Sequence, residues 1–225
     1  MRKMLLAAVA LAALTLPAAA QTYRFAVVPK AMNNPFFDLA RDGCVKRAKE
    51  LGNVECIYKG PVEHEPASQA QIIQDLIAQK VDGLAISVSD VAAATRSIKA
   101  AVDAGIPVIT FDADAPGSAR KAYIGTNNKE FGLALGTKLK ELRPEGGKFA
   151  MVSGGPAAKN LQERVEGVRE ALKGSKWEEI SGSPTFCNDD IALAVQQMQD
   201  LKTGNPDLAA IVPVGGWPMF AREGF

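Results

Sequence analysis

Residues 81–111 read VDGLAISVSDVAAATRSIKAAVDAGIPVITF, and this stretch decides the fold class. Two short apolar runs, VDGLAISV and IPVITF, flank a segment with helical patterning that ends at Gly105. Both runs are apolar at consecutive positions, which is typical of parallel strands covered on both faces. The stretch therefore predicts a β-α-β unit within a parallel sheet that helices cover.

The same alternation extends from this unit toward the N-terminus. Residues 23–28 (YRFAVV) and 54–58 (VECIY) are predicted strands, and the segments that follow each of them are predicted helices. The first of these helices has Asn34 as its expected cap, Pro35 at its first position and Gly52 as its stop. The first part of the chain is thus predicted to be β-α-β-α-β-α-β.

The second part of the chain restarts the alternation after a short predicted strand, AYIG, at residues 122–125. Strands and helices then continue to the apolar run at 208–214. We predict an α/β protein with two doubly wound parallel-sheet lobes, residues 21–125 and 126–225, the second of them incomplete. An incomplete sheet exposes apolar surface at its edge, so marginal stability or weak ligand binding is predicted for residues 21–225 alone.

The first 20 residues differ from the rest of the chain. Arg2 and Lys3 precede the apolar run MLLAAVALAALTL, and PAAA before Gln21 supplies a small-residue cleavage pattern. These features predict a secretory signal peptide, because the apolar run is short for a membrane span. The alternative interpretation is a buried or membrane-anchoring helix. The residue directly after the cleavage point is Gln21 and not a cysteine, so we expect a protein without a lipid anchor in a bacterial periplasm.

The composition excludes several classes of function. The 225-residue chain has a formal net charge of +1 and 47% hydrophobic residues, as in an ordinary soluble globular protein. It contains no basic block that would indicate nucleic acid binding. No glycine-rich dinucleotide motif follows the first strand, and a single histidine cannot complete a nucleophile–base set or a zinc site here. We therefore expect no cofactor and no metal ion.

Export makes the three cysteines informative, because disulfides persist outside the cytoplasm. Cys44 lies in a predicted helix and Cys56 in the strand that follows it, so a disulfide between these two residues is predicted. Cys187 is then left over, and we interpret it as a small buried hydrophobic residue. His64 lies in the polar segment GPVEHEP and is predicted to be a solvent-exposed loop residue.

Candidate ligand-binding residues follow the predicted strands, because an open parallel sheet binds its ligands beyond the carboxyl ends of its strands. They include carboxylates, amides, one arginine and aromatic rings. This combination suits a sugar, whose hydroxyl groups need polar partners and whose apolar faces pack on rings. The candidates are Asn33, Phe36, Phe37, Ser87, Asp112, Asp114, Asn160, Arg164, Asp189 and Trp217.

Each candidate also has a structural interpretation. The two adjacent phenylalanines can both pack in the core. Asp112 and Asp114 can form a turn, or can act together as an acid–base pair. Arg164 can pair with a glutamate on an exposed helix face, and Trp217 can simply cover the end of a sheet. The common position of these residues at strand ends favours binding over each separate alternative.

The chain resembles the periplasmic sugar-binding proteins of ABC transporters, in the ribose-, galactose- and xylose-type branch that shares its fold with the ligand domains of lactose-repressor-like regulators. The resemblance extends from Tyr23 to Trp217. It implies the type I periplasmic binding protein fold, in which two lobes close on a ligand without catalysis. It is carried by the ordered motifs FAVVPKAMNNPFF, LIAQKVDGLAIS, AAVDAGIPVITFDAD, YIGTNN and NLQERVEG.

The resemblance also implies roles for individual residues. Asn33, Phe36 and Phe37 are expected to border the ligand from the first lobe. Asp112 is expected to accept hydrogen bonds from sugar hydroxyls, and Arg164 to contact the ligand from the second lobe. Family members continue for about half a domain beyond the equivalent of this C-terminus, so the chain is expected to be C-terminally truncated.

The sequence departs from the family pattern at several ligand positions. Ser87 stands where the family often has asparagine, and Asp189 where some members have an aromatic residue. Ala113 stands where the family often has arginine, and Asp114 is expected to substitute in part. Trp217 occurs where the family has a polar pair and is expected to supply a stacking face. These departures leave the identity of the sugar open.

The predicted function is therefore a secreted solute-binding protein that captures a monosaccharide and delivers it to an ABC permease. Two alternatives are a sugar-sensing protein that serves a chemoreceptor or sensor kinase, and a non-functional fragment of such a protein. A transcriptional effector domain is disfavoured, because a signal peptide precedes the first strand and no helix-turn-helix segment does. A carbohydrate-active enzyme would have to use Asp112 or Asp114.

Overall fold

The computed structural model describes residues 21–221. The predicted signal peptide, residues 1–20, lies outside the described residues. Within residues 21–221, no helix combines the length and the apolar character needed to cross a membrane. Strands and parallel pairing recur along this part of the chain, which confirms the predicted α/β class.

The first sheet has five strands and three covering helices. All neighbouring strands pair in parallel, in the order β2-β1-β3-β4-β5. In chain order the elements are β1 (Tyr23–Val28), α1 (Asp38–Leu51), β2 (Val54–Tyr58), α2 (Pro66–Ala78), β3 (Gly83–Ile86), α3 (Val91–Asp103), β4 (Val108–Phe111) and β5 (Tyr123–Ile124).

The core of the first lobe lies between this sheet and its helices. Val28, Ile86 and Val108 from three neighbouring strands are fully buried, as are Ile73 on α2 and Ile98 on α3. Burying one such side chain contributes roughly 1.5–3 kcal/mol, so this layer holds the strand ends in a fixed arrangement. The polar residues that follow β1, β3 and β4 are thereby brought to one edge of the sheet.

The second sheet has four strands among the described residues. The elements in chain order are α4 (Asn128–Leu142), β6 (Gly147–Ser153), α5 (Lys159–Leu172), β7 (Trp177–Glu179), β8 (Thr185–Phe186), α6 (Ile191–Gly204) and β9 (Leu208–Pro213). Strand β6 is central and pairs in parallel with β9 along one edge. The short strands β7 and β8 both pair with the opposite edge of β6.

The outer edge of β9 has no neighbouring strand within residues 21–221. Leu208 to Ile211 are only half-buried, whereas Phe149 to Val152 of the central strand are buried. The predicted lobe boundary near residues 125–128 falls in the segment that connects β5 to α4.

Two glycines bring helices α4 and α5 into close contact. A Cβ atom at Gly132 would clash with the carbonyl oxygen of Arg164, and one at Gly167 would clash with the carbonyl oxygen of Lys129. Because neither residue carries a side chain, the two helix backbones pack directly against each other. This packing fixes the relative position of Asn128 at the start of α4 and Arg164 in the second turn of α5, which are joined by a hydrogen bond.

A disulfide joins Cys44 on α1 to Cys56 on β2, with 5.9 Å between their Cα atoms. That distance lies within the usual range for such a bond. Cys187, at the end of β8, is free and fully buried.

We expect the double variant Cys44→Ser, Cys56→Ser to unfold with a free energy about 2–3 kcal/mol lower than the wild type, because the bond restricts the unfolded chain. Urea denaturation of both proteins measures the difference. Reductant should lower the midpoint of the wild type and leave the double variant unchanged. Equal midpoints for the oxidised wild type and the double variant would show that the disulfide does not stabilise the fold.

Candidate functional site

A cavity of about 130 Å³ lies between the two lobes, at the carboxyl ends of both sheets. It is smaller than the pockets of drug-sized ligands, so it suits a small molecule. The first lobe lines it with Lys30, Asn34, Phe36, Phe37 and Asp112. The second lobe lines it with Asn160, Leu161, Arg164, Gly215, Gly216, Trp217 and Phe220.

Asp112 presents a carboxylate to this cavity from the end of β4. Its backbone is left-handed, with φ of 57°, which is uncommon for a residue other than glycine. The hydroxyl of Ser87 donates to Oδ2 at 2.7 Å, and Nδ2 of Asn160 lies 3.4 Å from Oδ1. The second of these contacts crosses from one lobe to the other. Asp112 is thus oriented by Ser87 and faces both the cavity and the second lobe.

Lys30 is a buried cation that the sequence interpretation missed. Its Nζ lies 3.5 Å from Oδ2 of Asp112 and 3.9 Å from Oδ1 of Asp189, and its side chain is 3% exposed. Burial by itself lowers the pKa of Lys30, but the two carboxylates outweigh it and raise that pKa above its ordinary value. The ammonium therefore stays charged, and it lies between carboxylates from opposite lobes.

Arg164 supplies the matching cation from the second lobe. Its Nε donates to Oδ1 of Asn128 and its Nη1 to the carbonyl oxygen of Val214, both at 2.9 Å. The guanidinium carbon lies 4.6 Å from the centroid of the Phe131 ring. Burial lowers the pKa of Arg164, and Asp112 partly offsets this effect. An arginine remains charged at neutral pH in any case, so the cavity receives a fixed, charged hydrogen-bond donor.

The two phenylalanines differ in burial. Phe37 is 1% exposed and meets the ring of Phe111 edge-on, whereas Phe36 is 44% exposed. The interpretation that both rings lie in the core is therefore wrong. Pro35–Phe37 form a single 3-10 turn, not the first turn of an α-helix, and Oδ1 of Asn34 caps it by accepting from the backbone N–H of Phe36. Both rings border the cavity, and one of them also anchors the turn.

The structure separates two neighbouring amides. Asn34 is buried and lines the cavity, whereas Asn33 is exposed and lines a different pocket beside α6. Of these two amides, the one that lines the cavity is thus also the one that caps the 3-10 turn. Ser87 is fully buried and reaches the site through its hydrogen bond to Asp112, not through the cavity surface.

Asp114 lies outside the cavity lining, because its carboxylate is engaged elsewhere. Arg120 donates to both oxygens of Asp114, with Nη2 at 2.6 Å from Oδ2. The hydroxyl of Thr110 donates to Oδ1 at 2.6 Å. Burial acts to raise the pKa of Asp114, but these donors outweigh it and hold the pKa below its usual range. Asp114 therefore stabilises the turn after β4 in the structure.

Asp189 and Trp217 form a buried pair behind the cavity. Nε1 of Trp217 donates to Oδ1 of Asp189 at 3.0 Å, and the backbone N–H of Gly155 approaches Oδ2 at 3.4 Å. The backbone of Asp189 is left-handed, with φ of 61°. Trp217 lines the cavity directly, whereas Asp189 lines the neighbouring pocket and reaches the site through Trp217 and Lys30. Asp189 thus fixes the position of the indole ring.

The prediction that His64 is an exposed loop residue is wrong. Its side chain is 5% exposed, because the imidazole packs against Gly155 of the second lobe. Its Nε2 lies 3.7 Å from Oδ2 of Asp189. The polar composition of the surrounding segment indicated exposure, but contact with a distant loop buries the ring.

The site offers donors, acceptors and ring faces for a polar ligand. Lys30 and Arg164 donate, Asp112 accepts, and the amides of Asn34 and Asn160 can do both. Within residues 21–221, no group of three or more His, Cys, Asp or Glu side chains is arranged to hold a metal ion. The arrangement offers a ligand hydrogen-bond partners that neighbouring residues hold in place.

Comparisons with known proteins give matches over nearly the whole chain. Residues 25–223 match the sequence profile of the periplasmic binding protein domain. The ribose import binding protein of Escherichia coli K12 is 30% identical over 207 residues, which cover 92% of this chain and 69% of that protein.

Two solved structures are similar in fold as well as in sequence. One is an ABC transporter solute-binding protein from Burkholderia graminis in complex with D-arabinose. It has a TM-score of 0.81 and 32% identity, and the match covers 91% of this chain and 72% of that one. The other is GanP, a glucose-galactose binding protein from Geobacillus stearothermophilus. Its TM-score is 0.77 and its identity 29%, with coverage of 86% and 68%.

Proposed function

This chain belongs to the periplasmic binding protein domain family, and from that premise we propose that it binds a monosaccharide between its two lobes. The observation that carries the proposal is the cavity itself, because its charged groups come from both lobes. Asp112 belongs to the first lobe and Arg164 to the second. A ligand that contacts both residues stabilises the closed arrangement over an open one, since only the closed arrangement offers both contacts.

The charges around the cavity favour an uncharged ligand. Lys30 and Arg164 are balanced by Asp112, which lines the cavity, and by Asp189 behind it. An uncharged polyol leaves this balance undisturbed, whereas a sugar acid would add an unpaired charge. Hydroxyl groups both donate and accept, so they match the mixed set of cations, carboxylate and amides. The exposed ring of Phe36 offers an apolar face for the C–H side of a sugar.

The proposed role is transport without turnover. We propose that the protein acts in a periplasm and delivers its sugar to an ABC permease. This proposal is supported by the relatives, which are named as an import binding protein for ribose and as a solute-binding protein of an ABC transporter.

A thermal-shift screen with pentoses, hexoses and polyols tests the proposal. At a hundredfold excess over its dissociation constant, a bound sugar stabilises the fold by about 2.7 kcal/mol, which raises the melting temperature by roughly 5–10 °C for a chain of this size. We expect at least one sugar to produce such a shift, and the corresponding sugar acid to produce a smaller one. A flat response to the whole panel by a cooperatively folded protein would contradict the proposal.

A further inference from the structure

His64 lies in a contact between the lobes that the ligand cavity does not include. The loop before α2 carries the imidazole to Gly155, and a Cβ atom at that glycine would lie 2.7 Å from Nε2 of His64. The carboxylate of Asp189 also lies near the ring, with 3.7 Å between Nε2 of His64 and Oδ2 of Asp189. At that distance there is no hydrogen bond, and Nε2 has no partner among residues 21–221.

The charged groups around the imidazole come from both lobes. Asp189 faces Nε2, and Lys30 lies on the other side of the same carboxylate. Glu63, Cys187 and Asp190 line the pocket next to the ring, together with uncharged residues. Glu63 is exposed, and the backbone N–H of Leu193 donates to Asp190. Burial raises the pKa of the Cys187 thiol to about 12, so this group is neutral.

We infer that contact between the two lobes is linked to the protonation state of His64, with the neutral imidazole favouring the closed arrangement and the imidazolium favouring an open one. His64 acts as a positioning residue, because it touches Gly155 and Asp189 rather than the ligand cavity. The inference rests on the proposed function in one respect only: ligand binding is taken to require lobe closure.

The direction of the linkage follows from the burial of the ring. Burial lowers the pKa of His64, and the positive charge of Lys30 lowers it further. The carboxylate of Asp189 raises this pKa, but the pKa of the buried imidazole still lies below its ordinary value. Asp189 cannot offset the burial, because Lys30, Trp217 and Gly155 already engage it. When the lobes separate, water reaches the ring and its pKa returns toward about 6.5. Below that pH the open form takes up the proton, so acidification opens the lobes and the closed form is recovered as the pH rises.

The first test follows the imidazole of His64 directly and needs no ligand. His64 is the only histidine in the chain, so its NMR signal is unambiguous. An NMR titration of its imidazole in the wild type should give a pKa below 6.5. In Gly155→Ala the added Cβ displaces the ring from its position, so the pKa should return toward about 6.5. A wild-type pKa at the ordinary value that Gly155→Ala leaves unchanged would overturn the inference.

The second test measures sugar affinity between pH 5 and 8, with the sugar that gives the largest thermal shift. The wild type should lose up to about tenfold in affinity for each pH unit below about 6.5, which is the pKa expected for the imidazole in the open form. His64→Gln keeps a neutral polar side chain, so its affinity should stay constant over the same range. Binding with the same pH dependence in both proteins would overturn the inference. Absence of binding at pH 8 would contradict the proposed function instead, and the imidazole titration would still decide the inference.

Discussion

Replacing Asp112 with asparagine is expected to lower sugar affinity by roughly 30- to 700-fold, which corresponds to about 2–4 kcal/mol. Asparagine tolerates the left-handed backbone at this position and matches the shape of aspartate, so the fold is retained. The variant removes the one carboxylate that lines the cavity among residues 21–221. It also leaves the ammonium of Lys30 facing a neutral amide. Calorimetric titration of the best ligand measures the loss.

Asp114→Asn is the matched control for this experiment. It makes the same chemical change two residues away, at a carboxylate that Arg120 and Thr110 engage outside the cavity. We expect this variant to lose stability but to keep its affinity within about threefold, which is under 1 kcal/mol. Retention of full affinity by Asp112→Asn, or an equal loss in both variants, would remove Asp112 from the binding site.

Replacing Lys30 with methionine is expected to lower the free energy of unfolding by about 3–5 kcal/mol. Methionine fills a similar volume but leaves Asp112 and Asp189 without their shared counter-charge. Both carboxylates are buried or nearly so, and they come from opposite lobes. The loss should therefore appear in overall stability and in sugar affinity together. Urea denaturation gives the first quantity and calorimetric titration the second.

Two further variants make this prediction specific. Lys59→Met removes an exposed lysine that follows β2 at the same end of the sheet, and it should change stability by less than about 0.5 kcal/mol. Adding Asp189→Asn to Lys30→Met removes one of the uncompensated charges, so part of the lost stability should return. If Lys30→Met is as stable as Lys59→Met, the ammonium of Lys30 does not stabilise the fold through Asp112 and Asp189.

Local sequence patterns were sufficient for the first sheet. Gly105 and Gly52 ended helices where expected, and uninterrupted apolar runs gave parallel strands, because these features depend on a few adjacent residues. The segment from residue 177 to residue 186 was harder to interpret. It forms two short strands, β7 and β8, with a connection between them. Their pairing with β6 depends on residues about 30 positions away.

The residues of the site were predictable only in part. Position after a strand correctly indicated that Asp112 and Trp217 reach the cavity, because the ends of neighbouring parallel strands meet. Lys30 follows β1 in the same way. A lysine side chain is usually exposed, so nothing in the local sequence indicated that this one is buried. It is buried because Asp112 and Asp189, which are far away in sequence, both approach its ammonium. His64 is buried for a similar reason, by contact with Gly155 of the other lobe.

Distinguishing Asn33 from Asn34 required the backbone geometry of the turn. The two residues are chemically identical; the resemblance to the family assigned Asn33 to the ligand, whereas Asn34 is the amide that lines the cavity. The 3-10 turn at Pro35–Phe37 orients Asn34 inward, where its side chain caps the turn and borders the cavity. The same turn directs one ring of the phenylalanine pair into the core and exposes the other.

The most direct test of the account is a calorimetric titration of the best-stabilising sugar into the wild type, Asp112→Asn and Arg164→Met, with Arg169→Met as a control. Arg169 lies on the same helix as Arg164 but pairs with Glu179 at the surface. We expect one sugar per wild-type chain, unchanged affinity in Arg169→Met, and a loss of at least about 30-fold in each of the other two variants. A sugar that binds Arg164→Met as tightly as the wild type, or no binding of any sugar by the folded wild type, would contradict a ligand site shared by the two lobes.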